Sequence, residues 1–235
     1  MRVALLADIH GNADALIAVL DAVRKAGAGR ILVAGDLVNY YYDAKRMFDM
    51  LDEWDWLSVR GNHDEMLEQW RRGEGIDMIS AKYGTALDLT LRELSAERID
   101  MLANMPALLD LNIDGRRVCV CHGTPWDRDE YVYPDTDDAV KLRFADDDFD
   151  LVVYGHTHYP AAWRAGKTLV VNPGSTGQPR DHKPGACWAL WDTKTNTVEH
   201  RRESYDMEPL IARCKAHDPE VSFLWTVLTR TRQKQ

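Results

Sequence analysis

Asp8 and His10, Asp36, Asn62 and His63, His122, and His156 and His158 each stand just after an apolar run. The runs are Val3 to Ala7, Ile31 to Ala34, Leu57 to Val59, Val118 to Cys121 and Leu151 to Tyr154. Carboxylates beside imidazoles combine hard oxygen with borderline nitrogen, a donor mixture that suits divalent first-row metals. Singly, each has an ordinary explanation: a cap for Asp36, a turn for Asn62, a satisfied core histidine for His122, a chance repeat for His156 and His158. Gathered at the ends of five strand-like runs, they supply too many ligands for that reading. In extended chain, residues i and i+2 point the same way, so Asp8 and His10 are expected to leave their strand on one face.

The elements that must deliver these residues alternate. After Gly11-Asn12, Leu16, Val19, Leu20 and Val23 recur at helical spacing within Ala13 to Lys25, and Asp43 to Trp54 repeats the pattern after the second strand. Alternating β and α units imply largely parallel strands whose C-terminal ends share one edge, where open α/β sheets place their sites. Residues 65–104 read as a helical insertion flanking the site, with Gly73 and Gly75 as breaks and Ser95 capping a short helix from Ala96 to Leu102. Asp114-Gly115 predicts a tight hairpin between Leu108–Ile113 and Arg116–Cys121. Residues 125–150 are acidic and aromatic, with a helix from Asp137 to Ala145, and suit a cover over the site better than a core. Lys167 to Val171 reads as a strand, and Cys187 to Trp191 with Thr197 to Arg201 as a closing hairpin. A helical tail over 207–235 breaks at Asp218-Pro219 and offers Phe223, Leu224, Val227 and Leu228 as a docking stripe.

With 235 residues and 45% hydrophobic side chains, the chain is long enough for one large domain, here expected to span 1–235. A formal charge of −9 argues against a nucleic-acid backbone as the partner and disfavours a nuclease. No apolar run approaches the roughly 20 residues that cross a bilayer. Without a leader pattern, and with no CxxC among Cys119, Cys121, Cys187 and Cys214, the chain reads as cytoplasmic, its thiols reduced and buried.

The ordered set Asp8-Ile9-His10, Gly35-Asp36, Gly61-Asn62-His63-Asp64, His122-Gly123 and Gly155-His156-Thr157-His158 resembles the calcineurin-like metallophosphoesterase superfamily. With Asn172-Pro173-Gly174-Ser175 it is similar to the small bacterial and archaeal YfcE-like phosphodiesterases. The resemblance implies a four-layer αββα sandwich of two packed mixed β-sheets flanked by helices. It also implies two divalent metal ions, manganese foremost, with iron, zinc, nickel or cobalt as alternatives. One ion would take Asp8, His10, Asp36 and His158, the other Asp36, Asn62, His122 and His156, with Asp36 bridging. Ions about 3.5–4 Å apart need such a shared carboxylate, and a hydroxide between them would attack a polarised phosphoester. His63 would be the general acid, with Asp64 orienting its ring. The protein serine/threonine phosphatases and symmetrical dinucleoside tetraphosphatases follow the bridging Asp with Asp-Arg-Gly, whereas Asp36 precedes Leu37-Val38-Asn39-Tyr40. Arg60 and Arg180 are the candidates to grip the phosphate instead. The expected partner is a small phosphoester, diester or monoester, with no membrane and with nucleic acid disfavoured but left open. Dinucleoside polyphosphates and phosphoproteins are alternative substrates, and a non-catalytic protein-binding scaffold is the alternative role.

Overall fold

A computed structural model describes residues 1–231 of the chain. β1 (Arg2–Leu6) leads into α1 (Ala13–Ala26), β2 (Arg30–Val33) into α2 (Ala44–Leu51), and β3 (Trp56–Ser58) into four helices. These are α3 (Asn62–Arg71), α4 (Ile76–Tyr83), α5 (Ala86–Glu93) and α6 (Ala96–Ala103). The hairpin β4 (Leu108–Ile113) and β5 (Arg116–Cys121) follows, then α7 (Asp138–Arg143), β6 (Leu151–Val153), β7 (Ala161–Ala165) and β8 (Thr168–Asn172). β9 (Ala186–Asp192), β10 (Thr197–Glu203), α8 (Glu208–His217) and α9 (Phe223–Thr226) complete the order.

Two five-stranded mixed sheets form, ordered β10-β9-β1-β2-β3 and β4-β5-β6-β8-β7. β1, β2 and β3 run parallel, as do β5, β6 and β8, while β9 joins β1 antiparallel. Strand alternation then divides the apolar residues between layers. Val3, Leu5 and Ala7 meet Val118, Val120, Val153 and Val171 between the sheets. Ala4, Leu6, Ile31 and Val33 turn the other way, onto Leu16, Val19 and Val23 of α1. Across the molecule, Cys119, Cys121, Val152 and Val170 pack with Phe144 and Phe149 beside α7. The result is the expected four-layer αββα sandwich, with the carboxyl ends of the parallel strands gathered at one edge. All four cysteines are buried free thiols. Among the described residues, no helix is long and apolar enough to cross a membrane.

Some elements depart from the sequence reading. The Asp137 side chain accepts the Ala139 N–H, so the expected Asp137–Ala145 helix begins one residue later and ends at Arg143. β7 was not expected, because Ala161-Ala162-Trp163-Arg164-Ala165 has no continuous apolar run; it is an edge strand, antiparallel to β8. In the tail, Leu224, Val227 and Leu228 are buried in the helix-side core, but Phe223 only packs at its margin. Residues 232–235, the end of the expected helical tail, lie outside the described residues.

Asn12 links α1 to the site edge. Its Oδ1 accepts the Ala15 N–H at 3.1 Å as the N-cap of α1, and its Nδ2 donates to the Gly177 carbonyl at 2.8 Å. Asn12→Ala is expected to cost about 2 kcal/mol, a lost cap plus a buried carbonyl left unpaired. Thermal unfolding should then shift down by about 4–8 °C; an unchanged midpoint would show that neither bond contributes.

Candidate metal centre

The strand ends do not deliver their side chains by strand alternation. β1 stops at Leu6, and Asp8 and His10 both adopt left-handed backbone, with φ of 53° and 54°. Asp36, His156 and His158 do the same, at 55°, 67° and 62°. Such conformations cost about 1–2 kcal/mol per residue outside glycine, so neighbouring backbone must enforce them. The N–H groups of Asp8 and His10 donate to the carbonyls of Gly35 and Asp36, each at 3.0 Å, and the Gly155 N–H donates to His122 O at 2.8 Å. Gly61 permits a close approach: a Cβ there would lie 2.1 Å from Asp36 Oδ1.

Ligand-type atoms of Asp8, His10, Asp36 and His158 lie within 4.8 Å of one another, and those of Asp36, His122 and His156 form a second group. Asp36 belongs to both. Asn62 Oδ1 sits 3.0 Å from His122 Nε2. Backbone carbonyls select the tautomers. Nδ1–H donates from His10 to Val38 O at 3.1 Å, from His122 to Ala34 O at 2.7 Å and from His158 to Gln178 O at 2.6 Å, while His156 donates through Nε2 to Asp129 O at 3.2 Å. The opposite nitrogens therefore face the centre, as lone pairs on the neutral rings and as an N–H on His122 until a metal displaces its proton. These face each other at 3.2 Å between His10 and His158 and at 3.1 Å between His122 and His156. Facing lone pairs repel unless a proton or a cation lies between them, and the buried Oδ2 of Asp8 has no hydrogen-bond partner among the described residues. The donor set thus fits divalent ions.

Electrostatics point the same way. Burial pushes the Asp8 carboxyl up to about 8. Burial opposes charge on His122 too, but Asp36 and Asp8 outweigh it and raise the ring to about 9. Asp36 stays well below the usual carboxylate range despite its burial, chiefly through His122. Burial lowers His10 and His156 to about 4, so both are neutral donors near pH 7.

A cavity of about 320 Å³ opens onto Asp36, Asn62, His63, His156 and His158. His63 is in it, but Asp64 does not orient its ring. The two are consecutive on α3 and diverge. Asp64 instead accepts four backbone N–H groups, from Asp36, Leu37, Val38 and Gly61, which staple the Asp36 turn to the start of α3. Burial and Asp36 push the Asp64 carboxyl up, to about 7; four donors on its two oxygens favour the carboxylate. The ring partner is Asn39, whose Oδ1 takes the Tyr40 N–H and whose Nδ2 lies 2.8 Å from His63 Nδ1. The sequence reading missed this role, although Asn39 was visible as part of the departure from Asp-Arg-Gly. Arg60 is absent from the cavity lining: its guanidinium donates to Ala103 O at the end of α6 and its N–H to Pro106 O, a structural tie. Arg180 does line the cavity, held by Gln178 Oε1 and the Tyr40 hydroxyl. Tyr40, Lys82, Tyr83, Tyr131 and Phe223 also line it and were not foreseen.

A calcineurin-like phosphoesterase superfamily model matches residues 1–196. An uncharacterised protein of Methanocaldococcus jannaschii is 30% identical over 230 residues, 88% of each chain. The phosphodiesterase YfcE of Escherichia coli K12 is 23% identical over 211 residues, 84% of this chain and 91% of that one. The crystal structure of a hypothetical protein from Pyrococcus horikoshii shares the fold with a TM-score of 0.84 at 21% identity, covering 98% of this chain and 99% of that one.

The pKa shifts set a test. Near pH 7 the metal-free centre holds protons on Asp8 and His122, which metal uptake must expel. Manganese binding at pH 7 is expected to release about one to two protons per chain, fewer as pH rises through about 9. Calorimetry in buffers of different ionisation enthalpy measures this, and no release would contradict the shifts. Both folded values lie above their ordinary ones of 3.8 and 6.5, so the stability they lend at low pH is lost on raising pH through about 8 and 9. The metal-free protein should therefore lose thermal stability between pH 6.5 and 9.

Proposed function

The chain belongs to the calcineurin-like phosphoesterase superfamily, and from that premise we propose that it hydrolyses small phosphodiesters or phosphomonoesters with two divalent ions, manganese foremost. Asp8, His10, Asp36 and His158 hold one ion in this reading, and Asp36, Asn62, His122 and His156 the other. The observation that carries it is the pair of imidazole contacts at 3.2 and 3.1 Å, which gather four ring nitrogens around the carboxylate of Asp36 as a donor set for cations. When bound, such ions lower the pKa of water and draw charge from phosphoryl oxygens.

The chain's own residues orient and protonate. His63 is the proton donor to the leaving oxygen in this reading: the Asn39 amide, 2.8 Å from Nδ1, leaves Nε2 as the donating nitrogen, and because burial lowers the ring's pKa the donating imidazolium would form only with the anionic phosphoester bound. Arg180 grips a phosphoryl oxygen in place of the missing Asp-Arg-Gly arginine, its planar guanidinium pre-aimed by Gln178 and Tyr40. The Tyr131 ring packs on that of His156, with centroids 3.8 Å apart, at the cavity lining. A cavity of about 320 Å³ supports a small substrate over a phosphoprotein.

Manganese-loaded protein assayed on aryl and alkyl phosphoesters tests the reading; no turnover of either would overturn it. Asp36→Asn is expected to lose both ions, and retention of two at unchanged affinity would remove the shared-carboxylate role. His63→Ala should keep both ions and lose about 10²–10⁴-fold on an alkyl ester, but little on an activated aryl ester whose leaving group needs no proton. Equal losses would make His63 a phosphate-binding group instead.

A further inference from the structure

Beside its metal-type ligands the cavity has a lining of another kind. Lys82 and Tyr83 come from the last turn of α4, Arg180 from the segment between β8 and β9, and Phe223 from the start of α9. The Arg180 guanidinium lies 5.7 Å from the ring centroids of both Tyr40 and Phe223, and the Lys82 ammonium 4.9 Å from that of Tyr83. In this acidic chain many cations find carboxylates: Arg30 has Asp55, Lys45 has Asp49, Arg117 has Asp110 and Arg213 has Asp43. Among the described residues, neither Lys82 nor Arg180 has a carboxylate within ion-pair distance; each has an aromatic face instead. Such a contact leaves the cation able to take an anion.

The two cations are not equivalent. Arg180 is held by Gln178 and Tyr40, which line up its guanidinium. Among the described residues Lys82 has no such tether and no carboxylate partner, and its flexible stem ends at the lining of a cavity that already provides for one phosphate. A lysine in the last turn of α4 also complements the helix dipole, but that role would be served equally by a side chain directed away from the cavity. At about 320 Å³ the space is at the lower end of the range for small-molecule sites, enough for one substituent beyond the scissile group.

Resting on the phosphoesterase reading, we propose that the leaving group of the natural substrate carries a second anion, a carboxylate or a phosphate, received by Lys82. Tyr83 and Phe223 flank the part of the leaving group between its two charges. The site discriminates by charge at a distance from the reacting bond, so the second anion tightens binding without entering the chemistry.

Calorimetric binding of non-hydrolysable phosphonates to the manganese-loaded protein tests this without turnover. Phenylphosphonate, 4-carboxyphenylphosphonate and benzene-1,4-diphosphonate differ only in the second anion. The wild-type protein is expected to prefer the latter two by about five- to tenfold over phenylphosphonate, and the ratio should shrink with added salt. Lys82→Met should bring the ratio close to one, Lys82→Arg should keep it, and the control Lys45→Met on α2 should leave it as in the wild type. Preference for the diphosphonate alone assigns the subsite to phosphate, and preference for both assigns it to anions generally. No preference in the wild type, or a preference that survives Lys82→Met, overturns the proposal. Turnover of phosphoesters without the preference removes the subsite alone. The preference without turnover removes the phosphoesterase reading and leaves the subsite standing.

Discussion

Four imidazole nitrogens are turned toward two buried carboxylates, and much of the loop structure around the sheet edge serves to hold them there. Each ring is fixed from behind by a carbonyl, of Val38, Ala34, Gln178 or Asp129, so a ring flip would forfeit a buried hydrogen bond. The carbonyls come from loops far apart in sequence, which makes the ligand cluster a property of the assembled sandwich. The left-handed residues follow from the same demand, since five side chains cannot converge on one point from extended strand ends. Their strain is compensated by packing and by inter-loop bonds, of which the four donors to Asp64 are the densest example.

Much of this was legible in the sequence. Apolar runs ending in ligand-type residues located the parallel strands and the edge they share, and Asp114-Gly115 placed its hairpin to the residue. The reason given for Asp8 and His10 was wrong in detail: they converge through successive left-handed turns, which no two-residue periodicity encodes. Asp64 and Arg60 were misassigned because adjacency in sequence stood in for adjacency in space. A helix separates consecutive side chains, and an arginine beside a metal-binding motif can reach backward to a helix end. β7 carries no apolar run because an edge strand exposes one face, and Phe223 reads as core by its helical spacing.

The floor and the wall of the cavity obey different constraints. Holding a cation demands particular donor atoms in particular places, so that part of the chain carries a strong motif and falls within residues 1–196 of the superfamily match. A wall of rings and cations can be assembled from many residue types on many helices, and Phe223 lies beyond the matched segment. In the proposed reading, therefore, the reaction class is carried by motifs, whereas the leaving group is selected by residues with no motif at all.

The place of β1 in its sheet carries a cost paid during synthesis. One flank is covered early by β2, but the other waits for β9, whose Trp191 stands opposite Val3. On a ribosome adding about 5–20 residues per second, that flank stays open for roughly ten to forty seconds. All that time the apolar run from Val3 to Leu6 offers an unpaired strand edge, the usual template for pairing between chains. The hazard for this protein thus lies in its nascent state. Its yield in a cell should follow chaperone supply and the pace of translation between residues 34 and 186 more closely than the stability of the finished sandwich.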